Sequence, residues 1–285
     1  MATIRQLTHA NGLDYLQVNS ALCEARVFLQ GAQVEFFAPT GKAPLLWVSS
    51  ADEYQPGTGG LRGGIPVCWP WFGNHANSDW PAHGFARNKV WRWVSTSVEN
   101  EIVTLRFNLP SSEFERQYWP HNTRVELEVV LSDRLTVKLI NTNLDDHPVT
   151  LTQALHSYFP IGDIHQLQAT GFAGSQYIEF AKGPYQQAGD SVGFDKETDR
   201  VYTQLSDTQT LNTVNGTIVI QRENSQSAVL WNPWIEKSKR LSRFNDDDYL
   251  QMTCLEAANV LEDAVTLQPN ESHTLVTHIS WQAEA

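Results

Sequence analysis

Apolar and polar residues alternate with a period of two along most of the chain, and helical spacing is scarce. Successive side chains of a strand point to opposite faces, so this alternation marks strands with one face buried. The clearest run is Ile102–Leu109, with Val103, Leu105 and Phe107 on one side; Val90–Val98 precedes it through Glu99, Asn100 and Glu101 like the first arm of a hairpin. Val125–Leu131 and Leu135–Asn141 (VELEVVL, LTVKLIN) form a second pair around the compact loop Ser132–Arg134. Shorter runs bounded by Asn, Gly and Pro predict strands at Leu13–Val18, Ala25–Leu29, Gln33–Ala38, Leu45–Ser49, Val149–Ala154, Gln166–Thr170 and Gln176–Glu179. Others follow at Val201–Gln204, Gly216–Gln221, Ala228–Trp231, Tyr249–Glu256 and His273–Trp281. One short helix is predicted, Ser111–Trp119, with a serine cap, Glu113 and Glu115 in its first turn and Pro120 at its end. No linker, low-complexity tract or repeat interrupts the pattern, so residues 1–285 read as a single all-β domain of antiparallel sheets stacked as a large sandwich.

One stretch escapes the alternation. Leu61–Trp93 carries four glycines, three prolines, five tryptophans, three arginines and two histidines without sustained periodicity. Gly63 and Gly64 open backbone conformations closed to other residues, while Pro66, Pro70 and Pro81 fix φ and remove amide donors, which predicts a rigid, irregular loop. Such loops carry function. A tryptophan-rich core plug with solvated arginines is the alternative.

Composition narrows the partners. A formal net charge of −12 without any basic stripe excludes a phosphate-backbone partner, so no nucleic acid is expected. Met1–Gly12 has no apolar run with a cleavage site, and no eighteen apolar residues run together, so the expectation is a cytoplasmic protein with no membrane span. Cys23, Cys68 and Cys254 are odd in number, far apart and without a CxxC pair, which predicts reduced thiols, and the apolar neighbours of Cys68 and Cys254 predict that these two are buried.

Three ionisable sites stand out from the strands. His156 follows a strand in LHSYF; its ordinary reading is a core histidine bonded to backbone. Glu256 lies inside the apolar strand MTCLEAANV, where unpaired burial would raise its pKa, unless alternation turns it outward. Arg62, His83 and Arg87 sit in the irregular loop, where guanidinium forks suit an oxyanion or sugar hydroxyls. Asp195 and Asp199 are hydroxyl-acceptor candidates or simply solvated acids. The Asp246–Asp248 run reads as a turn, without the calcium-loop pattern. His9, His75, His121, His147, His165, His273 and His278 show no metal-ligand spacing, so no metal is assigned.

In order, LRGGIPVCWPWFG, HGFAR, LHSYF, TDRVY, WNP, CLEAANV and VTLQPNESHTL resemble the hexose-6-phosphate mutarotases, the glucose-6-phosphate 1-epimerase branch of the aldose 1-epimerase superfamily. The resemblance spans nearly the whole chain and implies a galactose-mutarotase-like β-supersandwich. It places the catalytic pair on His156 and Glu256 and substrate contacts on Arg62, Arg87 and Asp199, with His83 lining the pocket. Ala82 departs from relatives that carry a polar residue before that histidine. The implied activity exchanges the α and β anomers of a hexose 6-phosphate, with Glu256 as base at O1 and His156 as imidazolium acid at O5, and without a cofactor. A mutarotase of unphosphorylated sugars and a non-catalytic sugar sensor remain as rivals, and the oligomeric state stays open.

Overall fold

The computed structural model describes residues 1–57 and 59–283. The alternating segments form antiparallel strands, as expected. Asn100 and Glu101, both at positive φ, turn the hairpin between Arg92–Glu99 and Ile102–Asn108. One eight-stranded sheet runs in the order Gln168–Thr170, Thr208–Thr213, Gly216–Glu223, Ser272–Trp281, Leu135–Asn143, Thr123–Leu131, Ile102–Asn108, Arg92–Glu99.

The second large sheet holds the elements that matter most for the site. They are β1 (Val67–Cys68), β2 (Gln153–Leu155), β3 (Tyr158–Pro160), β4 (Thr198–Thr203) and β5 (Ser227–Asn232), followed by helix α1 (Trp234–Ser238) and β6 (Met252–Asn259). From its outer edge the order is Lys182–Gln186, Gln176–Glu179, β4, β5, β6, β2, β1, with β3 also paired to β6. A four-stranded sheet of Thr3–Thr8, Asp14–Asn19, Cys23–Phe28 and Gln33–Pro39 and a small ribbon of Val149–Leu151 with Val265–Leu267 complete the pairing.

One apolar cluster runs from Leu16 to Ile279 and takes side chains from both large sheets, Leu105, Leu127 and Leu139 on one, Leu155, Leu230 and Leu255 on the other. Alternation along β6 then sends Cys254, Glu256 and Ala258 to the opposite face. There a second cluster gathers Cys68, Tyr158, Val229, Trp231 and Cys254, and Tyr158, Val229 and Trp231 of it line a cavity. All three cysteines are free thiols, as expected, and all three are buried.

Four sequence expectations need correction. Ser111–Trp119 is not a helix: only Ser111–Glu113 makes a 3-10 turn. Phe114 and Trp119 both pack on Trp69, at 5.4 and 5.3 Å; five residues along a helix would set them about 140° apart, so the segment bends to bring both to one core. Leu45–Ser49 makes only a single bridge, Val48 to Gly63. Val149–Ala154 breaks at Thr152 and feeds two different sheets. The strand expected from Tyr249 begins at Met252, after a 3-10 turn over Asp248–Leu250. Strands Thr3–Thr8, Lys182–Gln186 and Thr208–Thr213 and helix α1 were not anticipated.

Candidate active site

Strand register brings the candidates His156 and Glu256 together. Leu155, at the end of β2, pairs with Ala257 of β6, so the next residue, His156, arrives opposite Glu256. The His156 backbone leaves the ladder there and donates its N–H to the Pro66 carbonyl at 3.0 Å. His156 Nε2 lies 3.3 Å from Glu256 Oε1. The ring stacks on Tyr158 at 4.8 Å, and Trp231 stands edge-on at 6.1 Å. His156 is 8% exposed and Glu256 1%; Glu256 faces a pocket, and neither bulk solvent nor the main core.

Across β5 and β4 the same face continues. Glu256 pairs with Val229, Val229 with Val201, and Trp231 with Asp199. Asp199 therefore points into the cavity from the far side, where Lys237 of α1 lies 3.7 Å away and also binds Glu197 at 2.9 Å.

The irregular segment forms the remaining wall, and it is both cavity lining and core plug. Trp69 and Trp91 are fully buried, whereas Arg62, Phe72, His83 and Arg87 line the cavity. Its glycines are obligatory where chains touch. Gly84 has φ +68, and a Cβ there would lie 1.9 Å from the Trp69 carbonyl oxygen; one on Gly64 would lie 2.2 Å from the Val34 oxygen. These contacts fix His83 and Arg87 on either side of a backbone crossing.

All six candidate residues, Arg62, His83, Arg87, His156, Asp199 and Glu256, line one cavity of about 450 Å³, a size that suits a small ligand. Lys237, Tyr158 and Trp231 join them. Arg243 stands behind, bound to Asp52 at 3.2 Å and to the Gly60 carbonyl, with its pKa lowered chiefly by burial and further by Arg62 and Arg87. Sequence reading passed over Lys237 and Arg243, because neither sits in a distinctive local pattern. Asp195 is not among the cavity-lining residues.

Electrostatics divide the cavity. Arg87 donates to the Ala82 carbonyl at 2.8 Å, and the Arg62 backbone N–H donates to Asp52 at 2.6 Å. Burial, followed by the charges of Arg87 and Arg62, lowers His83 to about 3. It is therefore neutral near pH 7; Nδ1 accepts the Gly73 N–H at 3.3 Å, which leaves the proton on Nε2. Burial is also the main force on the central pair. It holds His156 well below its ordinary range, helped by His83 and both arginines, and Glu256 well above, helped by Asp199. Both shifts favour the neutral forms, and at 3.3 Å the carboxyl and the imidazole are placed to share one proton. Asp199 is raised as well, by burial first and against the pull of Lys237.

Buried polar atoms almost always find partners. Here Arg62 Nε, Arg87 Nε, His156 Nδ1 and Glu256 Oε2 make no hydrogen bond within the protein, and all four belong to residues of this cavity. These residues surround the cavity with donors and acceptors suited to a ligand rich in hydroxyls and negative charge.

Comparison with known proteins finds relatives over nearly the whole chain. A protein of Cenchrus ciliaris named "Putative glucose-6-phosphate 1-epimerase" is 33% identical over 280 residues, covering 92% of this chain and 82% of its own. The crystal structure of a "putative mutarotase (YeaD)" from Salmonella typhimurium superposes with a TM-score of 0.90 at 28% identity, over 99% of this chain and 94% of that one. A galactose mutarotase-like protein from Clostridium acetobutylicum shares the fold, with a TM-score of 0.73 at 13% identity over 99% of each chain. The family described as aldose 1-epimerase matches residues 15–280, and the chain belongs to it.

Proposed function

We propose that the protein exchanges the α and β anomers of a hexose 6-phosphate, with D-glucose 6-phosphate as the reference substrate, through acid–base ring opening by His156 and Glu256. The observation that carries this reading is the His156–Glu256 contact of 3.3 Å, set in a cavity that also holds two guanidiniums with buried, unpartnered Nε atoms.

Anomer exchange removes the O1 proton, forms the C1=O bond, breaks the C1–O5 bond and delivers a proton to O5. Rotation about C1–C2 and reclosure invert the centre. One base and one acid are needed, and they trade roles on closure. The shared proton supplies both. Moving it from Glu256 to His156 gives a carboxylate that takes the O1 proton and an imidazolium that protonates O5, and reclosure restores the starting state. No proton exchange with solvent is required. Neutral His83 holds a hydroxyl by its Nε2–H without competing for the catalytic proton. Asp199 accepts ring hydroxyl hydrogen bonds, and Arg62 and Arg87 take the phosphate through charge-assisted bonds. No cofactor enters these steps.

The arginines favour a phosphorylated sugar over a free one. Charged hydrogen bonds are worth about 1.5–3 kcal/mol each, so Arg62→Met and Arg87→Met should each lower kcat/KM for glucose 6-phosphate by roughly 10- to 150-fold. Exchange of free glucose should fall far less. Two-dimensional NMR exchange spectroscopy reads both sugars directly; equal losses on both would remove the phosphate assignment and leave a mutarotase of unphosphorylated aldoses.

A further inference from the structure

Away from the cavity, two chain segments bring a second set of donors together. The antiparallel pair Thr123–Leu131 and Leu135–Asn143 continues past its last register position, with the Leu144 N–H on the Asn122 carbonyl at 2.8 Å. His121 therefore arrives beside the turn that carries Asp145, Asp146 and His147. His121 Nδ1 lies 3.5 Å and His147 Nε2 3.8 Å from the same oxygen, Asp145 Oδ2. One ligand atom from each of the three residues falls within 4.8 Å of the others.

We propose that His121, Asp145 and His147 bind a divalent transition-metal ion of the zinc class. Two imidazoles and one carboxylate suit zinc, cobalt or nickel better than the all-oxygen sets of calcium and magnesium. A tetrahedral zinc with bonds of about 2.0–2.1 Å sets its ligands about 3.3 Å apart, and the separations here are 3.5 Å, 3.8 Å and no more than 4.8 Å.

The surroundings are those of an oriented site and go beyond a surface ion pair. His147 Nδ1 lies 3.0 Å from Asp146 Oδ1; this contact with the fully exposed Asp146 favours the tautomer with a bare Nε2, in the manner of a carboxylate–histidine–metal relay. The fully buried Asn143 accepts the Asp145 N–H at 2.9 Å and donates to the His147 carbonyl at 2.8 Å. The Asn122 N–H holds Asp145 Oδ2 at 2.9 Å. Trp119 packs edge-on against the His121 ring at 4.6 Å, and Arg116 binds the His121 carbonyl at 2.7 Å. Side chains of His121 and His147 remain 30% and 54% exposed, which lets an ion in from solvent.

The test is isothermal titration of the chelator-treated full chain with zinc chloride. The expected result is one zinc per chain, with His121→Ala and His147→Ala each weakening binding about tenfold or more, Asp146→Asn by no more than about fivefold, and His165→Ala having no effect. A wild-type chain that takes up no zinc, or a His121→Ala/His147→Ala double variant with native circular dichroism and unchanged zinc affinity, overturns the assignment. Should the double variant fail to fold, imidazole NMR of the unaltered protein decides: zinc must shift the His121 and His147 ring signals, and unmoved signals overturn the site.

Discussion

Glu256→Gln should make the protein more stable as it removes activity, by an amount that grows with pH. Glu256 is 1% exposed, and burial, with Asp199 adding to it, holds its carboxyl well above the 4.5 of an ordinary glutamate. A group whose pKa is raised on folding contributes stability that is complete below its unfolded value and is lost as pH rises toward the folded one. From pH 4.5 upward the unfolded wild type gains ionisation energy that the folded state forgoes, at about 1.4 kcal/mol per pH unit until the folded carboxyl ionises. Glutamine has the shape of the protonated acid and can donate to His156 Nε2 as that acid does. It has no proton to lose, and the burial of His156 is common to both proteins and cancels. Urea unfolding should therefore find the two nearly equal at pH 4.5. By pH 5.5 the variant should lead by about 1.4 kcal/mol, with the gap still widening toward neutrality. A variant that is the less stable protein at neutral pH, by a margin that grows from pH 4.5, would mean a buried carboxylate–imidazolium pair and would refute the shared-proton account.

His83 offers an independent check on the same electrostatics. Its folded pKa is depressed, so its contribution is present above pH 6.5 and is lost as pH falls toward about 3; its ring signals in an NMR titration should hold the neutral position until that range, and a midpoint near 6.5 would contradict the burial and the arginine field. Gly84→Ala should cost about 3 kcal/mol or more, since a Cβ there meets the Trp69 oxygen at 1.9 Å. Gly73→Ala, at a similar φ of +73 but with nothing within 4 Å, should cost only about 1 kcal/mol; urea midpoints that fail to separate the two would remove the close approach as the reason for glycine in HGFAR.

What was legible in the sequence followed from period and local chemistry. Alternation located most strands because each large sheet has one face in the shared core, as Val103, Leu105 and Phe107 show. The expected helix misled because capping residues and a terminal proline describe a start and a stop, while the need to place Phe114 and Trp119 against one tryptophan decides what lies between. The continuous run Val149–Ala154 gave no sign that Thr152 divides it between sheets, since its composition suits a strand on both sides. His156 and Glu256 were conspicuous as ionisable residues among apolar ones, but only the β2–β6 register sets them side by side. Lys237, on an unanticipated five-residue helix, and the His121, Asp145 and His147 cluster were invisible for the same reason: tertiary pairing assembles them, and their spacing along the chain matches no motif.

In the proposed reaction His156 and Glu256 together carry the proton traffic of anomer exchange. NMR exchange spectroscopy on glucose 6-phosphate, comparing wild type with His156→Asn and Glu256→Gln at equal folded concentration and against the uncatalysed rate in buffer, tests it most directly. General acid–base groups contribute about 10²- to 10⁴-fold, so each variant should fall by that order while still binding the sugar phosphate. A variant that keeps exchanging anomers within a few-fold of wild type would take its residue out of the chemistry, and the account with it.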